Sequence, residues 1–218
     1  MCYTAEASAY SFIVGIIVSS YLYNQPSSDL KIIGGFFFFV TFMQLFDYTF
    51  WRTQPPWRTL GPPWNTQTKD TNRLFTKIAC IANNIQPLVL AYLIYKYKGP
   101  VKGEKLVYLY GGLMVLFMMN NWKSLDTTTT VGKDGSLYWS WNHWKYAEHF
   151  YIFFLGMLLY LSYYNLSAPY NKVLPFIILS FFIVSYFKYG VEVYGRFWCF
   201  FAPFVPLVFL FIRVSPVK

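Results

Sequence analysis

The chain has 218 residues, of which 56 % are hydrophobic and 23 % are aromatic, while only 12 % carry a charge. A soluble domain has about twice that share of charged residues, so the composition argues against a water-soluble protein and predicts an integral membrane protein. The net charge of +9 would suggest nucleic-acid binding in a soluble protein. Here most lysines and arginines lie between apolar segments, where anionic lipid headgroups attract them. We therefore predict the lipid bilayer as a partner and no nucleic acid.

Seven apolar segments are each long enough to cross a bilayer as a helix. They are residues 5–23, 31–51, 74–96, 105–122, 144–164, 172–190 and 196–214. The first segment has no basic region before it and no small-residue cleavage site, so we predict a retained helix rather than a signal peptide. The predicted fold is an all-α integral membrane protein, a bundle of seven transmembrane helices that forms a single domain over residues 1–218.

The connections differ in length on the two sides of this predicted bundle. Short polar connections follow the first, third and fifth segments, so alternating helix directions place them together on what we call the short-loop side. The opposite side, the hairpin side, has longer connections. Residues 127–141 there predict a small β-hairpin or ordered loop, because β-prone segments flank a turn signal at residues 132–135. Leu137, Trp139 and Trp141 would share one face of it, lying on the membrane or capping the bundle.

The third segment is unusual because amide side chains occupy its first half. Asn83, Asn84 and Gln86 lie there, and an unpaired amide in hydrocarbon costs roughly 2–7 kcal/mol. These side chains are therefore predicted to face other helices or a wet cavity. Pro87 has no N–H group to donate to the carbonyl oxygen of Asn83, so a freed acceptor joins the amides.

Polar residues of the other predicted spans map to the same half of the membrane, on the hairpin side. The other half contains almost only apolar residues. This asymmetry predicts a hydrated pocket that opens on the hairpin side, and the alternative is a structural network that only joins helices. The predicted pocket residues are Glu6, Gln44, Asp47, Asn83, Asn84, Gln86, Asn120, Glu148, His149, Lys188, Glu192 and Cys199.

Some of these residues also have a simpler interpretation. Glu192 lies four residues after Lys188 and four before Arg196, so a cation on its own helix could neutralise it. Asp47 has no cation beside it and is the better candidate for a pocket carboxylate. A lone interfacial histidine such as His149 is more often a hydrogen-bonding group than a ligand or a base.

The three cysteines, Cys2, Cys80 and Cys199, also fall in the polar half. With His149 they could bind a soft metal ion, and Cys2 could form a disulfide with Cys199. Their spacing matches no metal motif and buried cysteines usually serve packing, so no metal site is predicted and these four residues are minor candidates. Pro203 also frees the carbonyl oxygen of Cys199, as Pro87 does at the third segment.

The sequence lacks catalytic signatures such as a paired-histidine metal motif, a nucleophile elbow or a glycine-rich phosphate loop. It leaves any cofactor unknown. Lys188 lies on the sixth segment, near an interface, which argues against a retinal-type Schiff base. The main prediction is binding or passage of a small polar or cationic solute. The alternatives are an embedded enzyme using His149 with Asp47 or Glu192 as acid and base, and an accessory or assembly subunit with an oligomer or complex partner.

Orientation rests on the lysines around the connection between the third and fourth segments. Lys96, Lys98, Lys102 and Lys105 form the densest basic group in a short connection. The positive-inside rule then places the short-loop side in the cytoplasm and the N-terminus outside. The glycosylation sequon at residues 165–167 lies on the same side, so a sugar on Asn165 would reverse this prediction.

Five short motifs, spread over most of the chain, coincide with the predicted pocket segments. They are residues 1–8, 42–51, 84–89, 135–141 and 196–199. Together they resemble motifs of uncharacterised small multi-span membrane proteins of large DNA viruses and their protist hosts. The resemblance implies that these motifs belong together, and it implies no activity.

Overall fold

The computed structural model describes residues 4–54, 66–121, 128–132, 137–189 and 196–212, and these residues are mostly helical. A helix lies over each of the seven predicted segments, and the third and the last segments are each divided into two helices. In chain order the elements are α1 (Ala5–Tyr23), α2 (Ser28–Arg52), α3 (Thr66–Asn84), α4 (Gln86–Lys98), α5 (Glu104–Asn120), β1 (Thr130–Val131), β2 (Leu137–Tyr138), α6 (Ala147–Asn165), α7 (Tyr170–Tyr189), α8 (Arg196–Phe201) and α9 (Val205–Phe211), with 3₁₀ turns at Ser140–His143 and Ala202–Phe204.

Three of the described helices are long and apolar enough to cross a membrane, namely α1, α2 and α7 over Tyr170–Lys188. A fourth crossing is reached if α3 and α4 count as one span, although the chain bends by 50° between them. Seven spans are not clearly seen. α5 has only 17 residues, and a 3₁₀ turn divides the last segment. The helical membrane architecture is therefore supported, and the number seven stays a prediction.

α2 is the central helix of the bundle. The Ser27 hydroxyl caps its N-terminus by accepting a hydrogen bond from the N–H of Leu30 at 3.5 Å. α2 contacts α1, α3, α4, α8 and α9. As a result, 61 % of the apolar stretch of α2 is buried inside the protein, compared with 33 % for α1 and 28 % for α7. The side chains of α2 thus meet several other helices, which matters for the polar residues that it carries.

α1 packs against α2 at very short range through small side chains. A Cβ atom added at Gly34 of α2 would lie 2.4 Å from the backbone nitrogen of Tyr23 and 2.7 Å from the carbonyl oxygen of Ser19. The backbones of the two helices are therefore in contact, as is common where small residues line membrane-helix interfaces. The small buried residues of α1 are Ser8, Ser11, Gly15 and Ser19.

The outer surface of the bundle carries many large apolar side chains. Ile17 of α1, Leu116 of α5 and Phe187 of α7 are 63 %, 61 % and 82 % exposed. Soluble monomers rarely expose apolar patches of such extent, whereas a bilayer would cover them with lipid. The surface therefore agrees with the membrane protein predicted from composition.

The predicted hairpin is present as a small antiparallel sheet, in which Thr130 of β1 pairs with Tyr138 of β2. Its predicted turn lies partly outside the described residues. Leu137, Trp139 and Trp141 are buried, with exposures of 0 %, 2 % and 3 %. The aromatic face of the hairpin therefore caps the bundle rather than lying on the membrane.

A buried polar network fixes the hairpin to α2 and α3. Asn72 of α3 donates a hydrogen bond to the carbonyl oxygen of Thr129 at 3.0 Å and accepts one from its N–H at 2.9 Å. The hydroxyls of Thr76 and Thr129 are 3.0 Å apart. Gln54, just after α2, also donates to the Thr129 carbonyl and accepts from the N–H of Val131, at 3.2 Å and 3.0 Å. Side chains thus satisfy backbone groups that burial would otherwise leave unpaired.

The three short connections meet at the other end of the bundle, as their positions after the first, third and fifth segments predict. Lys98 forms an ion pair with Asp29 at 2.6 Å and donates hydrogen bonds to the Asn165 carbonyl and the Ser167 hydroxyl, both at 3.0 Å. The side-chain oxygen of Asn165 accepts from the N–H of Lys102 at 2.7 Å. These contacts join all three connections, while the side of the membrane on which they lie stays a prediction.

Candidate functional site

The break between α3 and α4 places three amide side chains in the protein interior. α3 ends at Asn84 and α4 begins at Gln86, so Ile85 alone separates them. Pro87 lies in the first turn of α4, where a missing N–H is tolerated. Asn83, Asn84 and Gln86 are at most 2 % exposed. These amides therefore face the protein and not lipid.

A second break lies at the 3₁₀ turn Ala202–Phe204, between α8 and α9. Side chains from neighbouring helices satisfy backbone carbonyl groups at both breaks. The hydroxyl of Tyr110 on α5 donates to the carbonyl oxygen of Asn84 at 2.7 Å. This acceptor is one residue after the carbonyl that the proline pattern predicts. At the second break, Nε2 of Gln44 on α2 donates to the carbonyl oxygen of Cys199. That carbonyl is the one that Pro203, four residues later, cannot bond.

Direct contacts link the two breaks to each other. Nε1 of Trp198 on α8 donates to Oε1 of Gln86 at 3.4 Å, and Nε2 of Gln86 lies 3.5 Å from Oδ1 of Asn83. Both distances are near the outer limit for hydrogen bonds, so these contacts are weaker than an ordinary one of about 2.9 Å. The indole of Trp198 also packs on Phe37 of α2, with the ring centroids 6.0 Å apart. The two broken segments therefore meet beside α2.

Asp47 adds an acidic group to the polar face of α2. Both Asp47 and Gln44 are 0 % exposed, and their spacing of three residues places them on the same side of the helix. A carboxylate buried in a membrane protein is costly unless it is paired or bonded, and it commonly marks a functional site. In the described part of the chain, Nδ2 of Asn83 is buried without a hydrogen-bond acceptor. The packed helices α2 and α3 thus carry a buried acid and a buried amide donor that a bound molecule could use.

The buried polar residues at and beside the two breaks, namely Gln44, Asp47, Asn83, Asn84 and Gln86, are called the cluster below. Five of the predicted pocket residues do not join it, because they lie on the exposed surface of the bundle. They are Glu6, Asn120, Glu148, His149 and Lys188. Asn120 and His149 line an open, mainly apolar groove between α5 and α6. Glu148 lines a separate groove between α6 and α7. Position along a helix sets the depth of a residue, but these helices are apolar on all sides, so the sequence does not indicate which face turns inward.

Two of the predicted site residues, Cys2 and Glu192, lie outside the described residues, and so does any pairing that involves them. Cys80 and Cys199 are buried free thiols. The amide of Asn84 donates to the carbonyl oxygen of Cys80 at 2.8 Å and lies 3.6 Å from its sulfur. Where the chain is described, no group of three or more potential metal ligands occurs.

Two residues that complete the cluster, Tyr110 and Trp198, are not among the predicted pocket residues. The prediction relied on acids and amides, although a buried tyrosine or tryptophan also usually needs a hydrogen-bond partner for its polar atom. Trp198 directly precedes Cys199, whose carbonyl oxygen Pro203 cannot bond. The position of Pro203 could therefore have indicated that Trp198 lies beside the second break. Tyr110 gave no comparable signal, because aromatic residues occur in all seven predicted segments and make up 23 % of the chain.

Comparison with protein-family models, with curated proteins and with solved structures gives no match for this chain. The resemblance to multi-span proteins of large DNA viruses and protists therefore stays a prediction.

Proposed function

We propose that the chain is an integral membrane protein of seven spans that binds or conducts a small polar or cationic solute where its two broken spans meet. The observation that supports this proposal is the contact between the two breaks, through Trp198 and Gln86. Discontinuous helices in many membrane transporters place unwound backbone and polar side chains at the site of the substrate or coupling ion. The cluster beside α2 has the same components.

The chemistry of the cluster suits a cation or a polar molecule with hydrogen-bond donors. Asp47 supplies the negative charge, and the side-chain oxygens of Asn83 and Gln86 supply neutral acceptors. Nδ2 of Asn83 can donate to an acceptor on the solute. The contacts of Gln86 with Trp198 and Asn83, at 3.4 Å and 3.5 Å, are long enough for a solute to replace at small cost.

The proposal predicts that Asp47→Asn weakens the binding of cationic solutes at least about tenfold. Asparagine keeps the size of the side chain but removes the charge, and a charge pair about 4 Å apart contributes on the order of 4 kcal/mol at an effective dielectric constant of 20. Binding is measured on purified protein in lipid nanodiscs with alkali cations, alkylammonium and guanidinium compounds and neutral amides. Flux of the same solutes is measured in proteoliposomes.

Ser180→Ala is the matched control, because Ser180 lies near the middle of α7 and makes none of the hydrogen bonds described for the cluster. It should bind solute like the wild type. The proposal fails if no solute of the panel binds, or if Asp47→Asn and Ser180→Ala bind it equally well.

The two alternatives receive less support from the described geometry. His149 is exposed and packs its ring near that of Tyr146, at 6.4 Å. Among the described residues no carboxylate pairs with it, so an acid–base couple of His149 and Asp47 has no structural support. An accessory subunit requires only a fully paired core, and the buried amide nitrogen of Asn83 has no acceptor within the described residues.

A further inference from the structure

A groove of about 440 Å³ lies between α1, α2 and α4, close to the short-loop side, and none of its lining residues belongs to the polar cluster at the two breaks. Its walls are largely apolar and include Phe38, Tyr92 and Leu93, and Gly35 lies in its floor. A Cβ added at Gly35 would come within 3.1 Å of the Leu93 side chain, so the glycine keeps the groove open. Phe38 and Tyr92 are 38 % and 61 % exposed, which shows that the groove opens on the outer surface of the bundle.

The end of this groove that is nearest the short connections is basic and polar. Lys96 lines the groove, and its ammonium group lies 5.2 Å from the ring centroid of Tyr97. Lys31 of α2 approaches the same ring at 6.0 Å. The hydroxyl of Tyr97 donates to that of Tyr23 at 2.6 Å, and Tyr23 also lines the groove. Two ammonium groups and a pair of hydroxyls therefore lie together at one end of the apolar groove.

The charge at this end is not neutralised by the part of the chain that the structure describes. Lys98, on the same helix as Lys96, pairs with Asp29. Lys31 and Lys96 have no carboxylate partner among the described residues. An amphiphile with an anionic head and a hydrocarbon tail would match both the charge and the apolar walls, and a volume in the range of about 300–1,000 Å³ is typical of small-molecule sites.

We propose that this groove binds an acidic phospholipid from the leaflet on the short-loop side. The phosphate lies against Lys31 and Lys96 and accepts a hydrogen bond from the tyrosine pair, and one acyl chain runs along Phe38 and Leu93. Lysines near the ends of membrane helices commonly contact lipid headgroups without selecting one lipid. The features that select one lipid here are the shared tyrosine pair and the adjoining groove.

The test uses detergent-purified full-length protein with phosphatidylglycerol or phosphatidylcholine, and it counts bound lipids by native mass spectrometry. We expect one phosphatidylglycerol to bind at least about tenfold more tightly than phosphatidylcholine and to raise the unfolding temperature. The double variant Lys31→Gln/Lys96→Gln should remove this preference. The control Lys105→Gln/Lys172→Gln, which removes two exposed lysines near the same side, should retain it.

Four results would overturn the proposal. Equal loss of preference in both double variants would mean general surface charge, and equal binding of the two lipids would mean an unselective apolar groove. Stabilisation by inorganic phosphate alone, to the same extent as by the lipid, would exclude a role for the acyl chain. Dimers that resist acidic lipid would indicate that a second copy of the chain covers the groove.

Discussion

Replacing Gly34 with alanine should lower the free energy of unfolding by about 1–3 kcal/mol, although alanine is the better helix former. The new Cβ would lie 2.4 Å from the backbone nitrogen of Tyr23 and 2.7 Å from the carbonyl oxygen of Ser19. Both contacts are with backbone atoms of α1, so no side-chain rotation relieves them and the two helices must move apart. Thermal unfolding in detergent should show a lower midpoint, by about 2–4 °C for each kcal/mol.

Gly112→Ala provides the matched control for this prediction. Gly112 lies on α5, and a Cβ added there has no atom within 4 Å. The substitution should therefore leave the midpoint unchanged or raise it, because alanine stabilises a helix interior by roughly 0.5–1 kcal/mol relative to glycine. Equal midpoints for the two variants would contradict backbone contact between α1 and α2.

Asn72→Ala should cost about 2–4 kcal/mol of stability, because Asn72 is the main polar link between α3 and the hairpin. Its amide nitrogen donates to the Thr53 hydroxyl at 2.9 Å as well as to the Thr129 carbonyl. Alanine would leave buried groups of the hairpin with fewer partners. Tryptophan fluorescence should shift to longer wavelength, because Trp139 and Trp141 depend on the docked hairpin for their burial.

Thr71→Ala is the control for this second prediction. Among the described residues, the hydroxyl of Thr71 bonds only to the Gln67 carbonyl one turn earlier on the same helix, at 2.9 Å. Its loss should change the free energy of unfolding by less than about 0.5 kcal/mol. If Asn72→Ala keeps the wild-type midpoint and emission spectrum, the network does not hold the hairpin in place.

Helix positions could be predicted because apolar length and proline are local signals. The Pro203 pattern also identified the Cys199 carbonyl that Gln44 bonds. The beginning of the third helical segment could not be found in this way. The apolar pattern starts at residue 74, whereas α3 begins at Thr66, since a helix does not end where its apolar stretch ends. Asn72 lies in this polar extension, so its role in holding the hairpin was missed.

The inward face of each helix was the harder part of the prediction. The sequence predicts that both Gln86 and His149 lie near the hairpin side. In the structure, however, Gln86 is buried and His149 is exposed. In a membrane, apolar residues cover the lipid-facing side of a helix as well as its packed side, so hydrophobic periodicity carries little information about rotation. Side-chain amides were informative because their burial cost forces them inward, whereas a residue at the end of a helix can reach water from any face.

The first and last helices of the bundle are neighbours, which has a consequence for biosynthesis. α1 contacts α9 and the 3₁₀ turn at Ala202–Phe204, and the carbonyl that Gln44 bonds follows it by 155 residues. At roughly 5–20 residues per second, the ribosome makes that acceptor roughly 8–30 s after Gln44. During this interval the side-chain amide of Gln44 must be hydrated or must bond another component of the membrane. The α1–α2 pair therefore completes its interior only after the residues of α8 have been made.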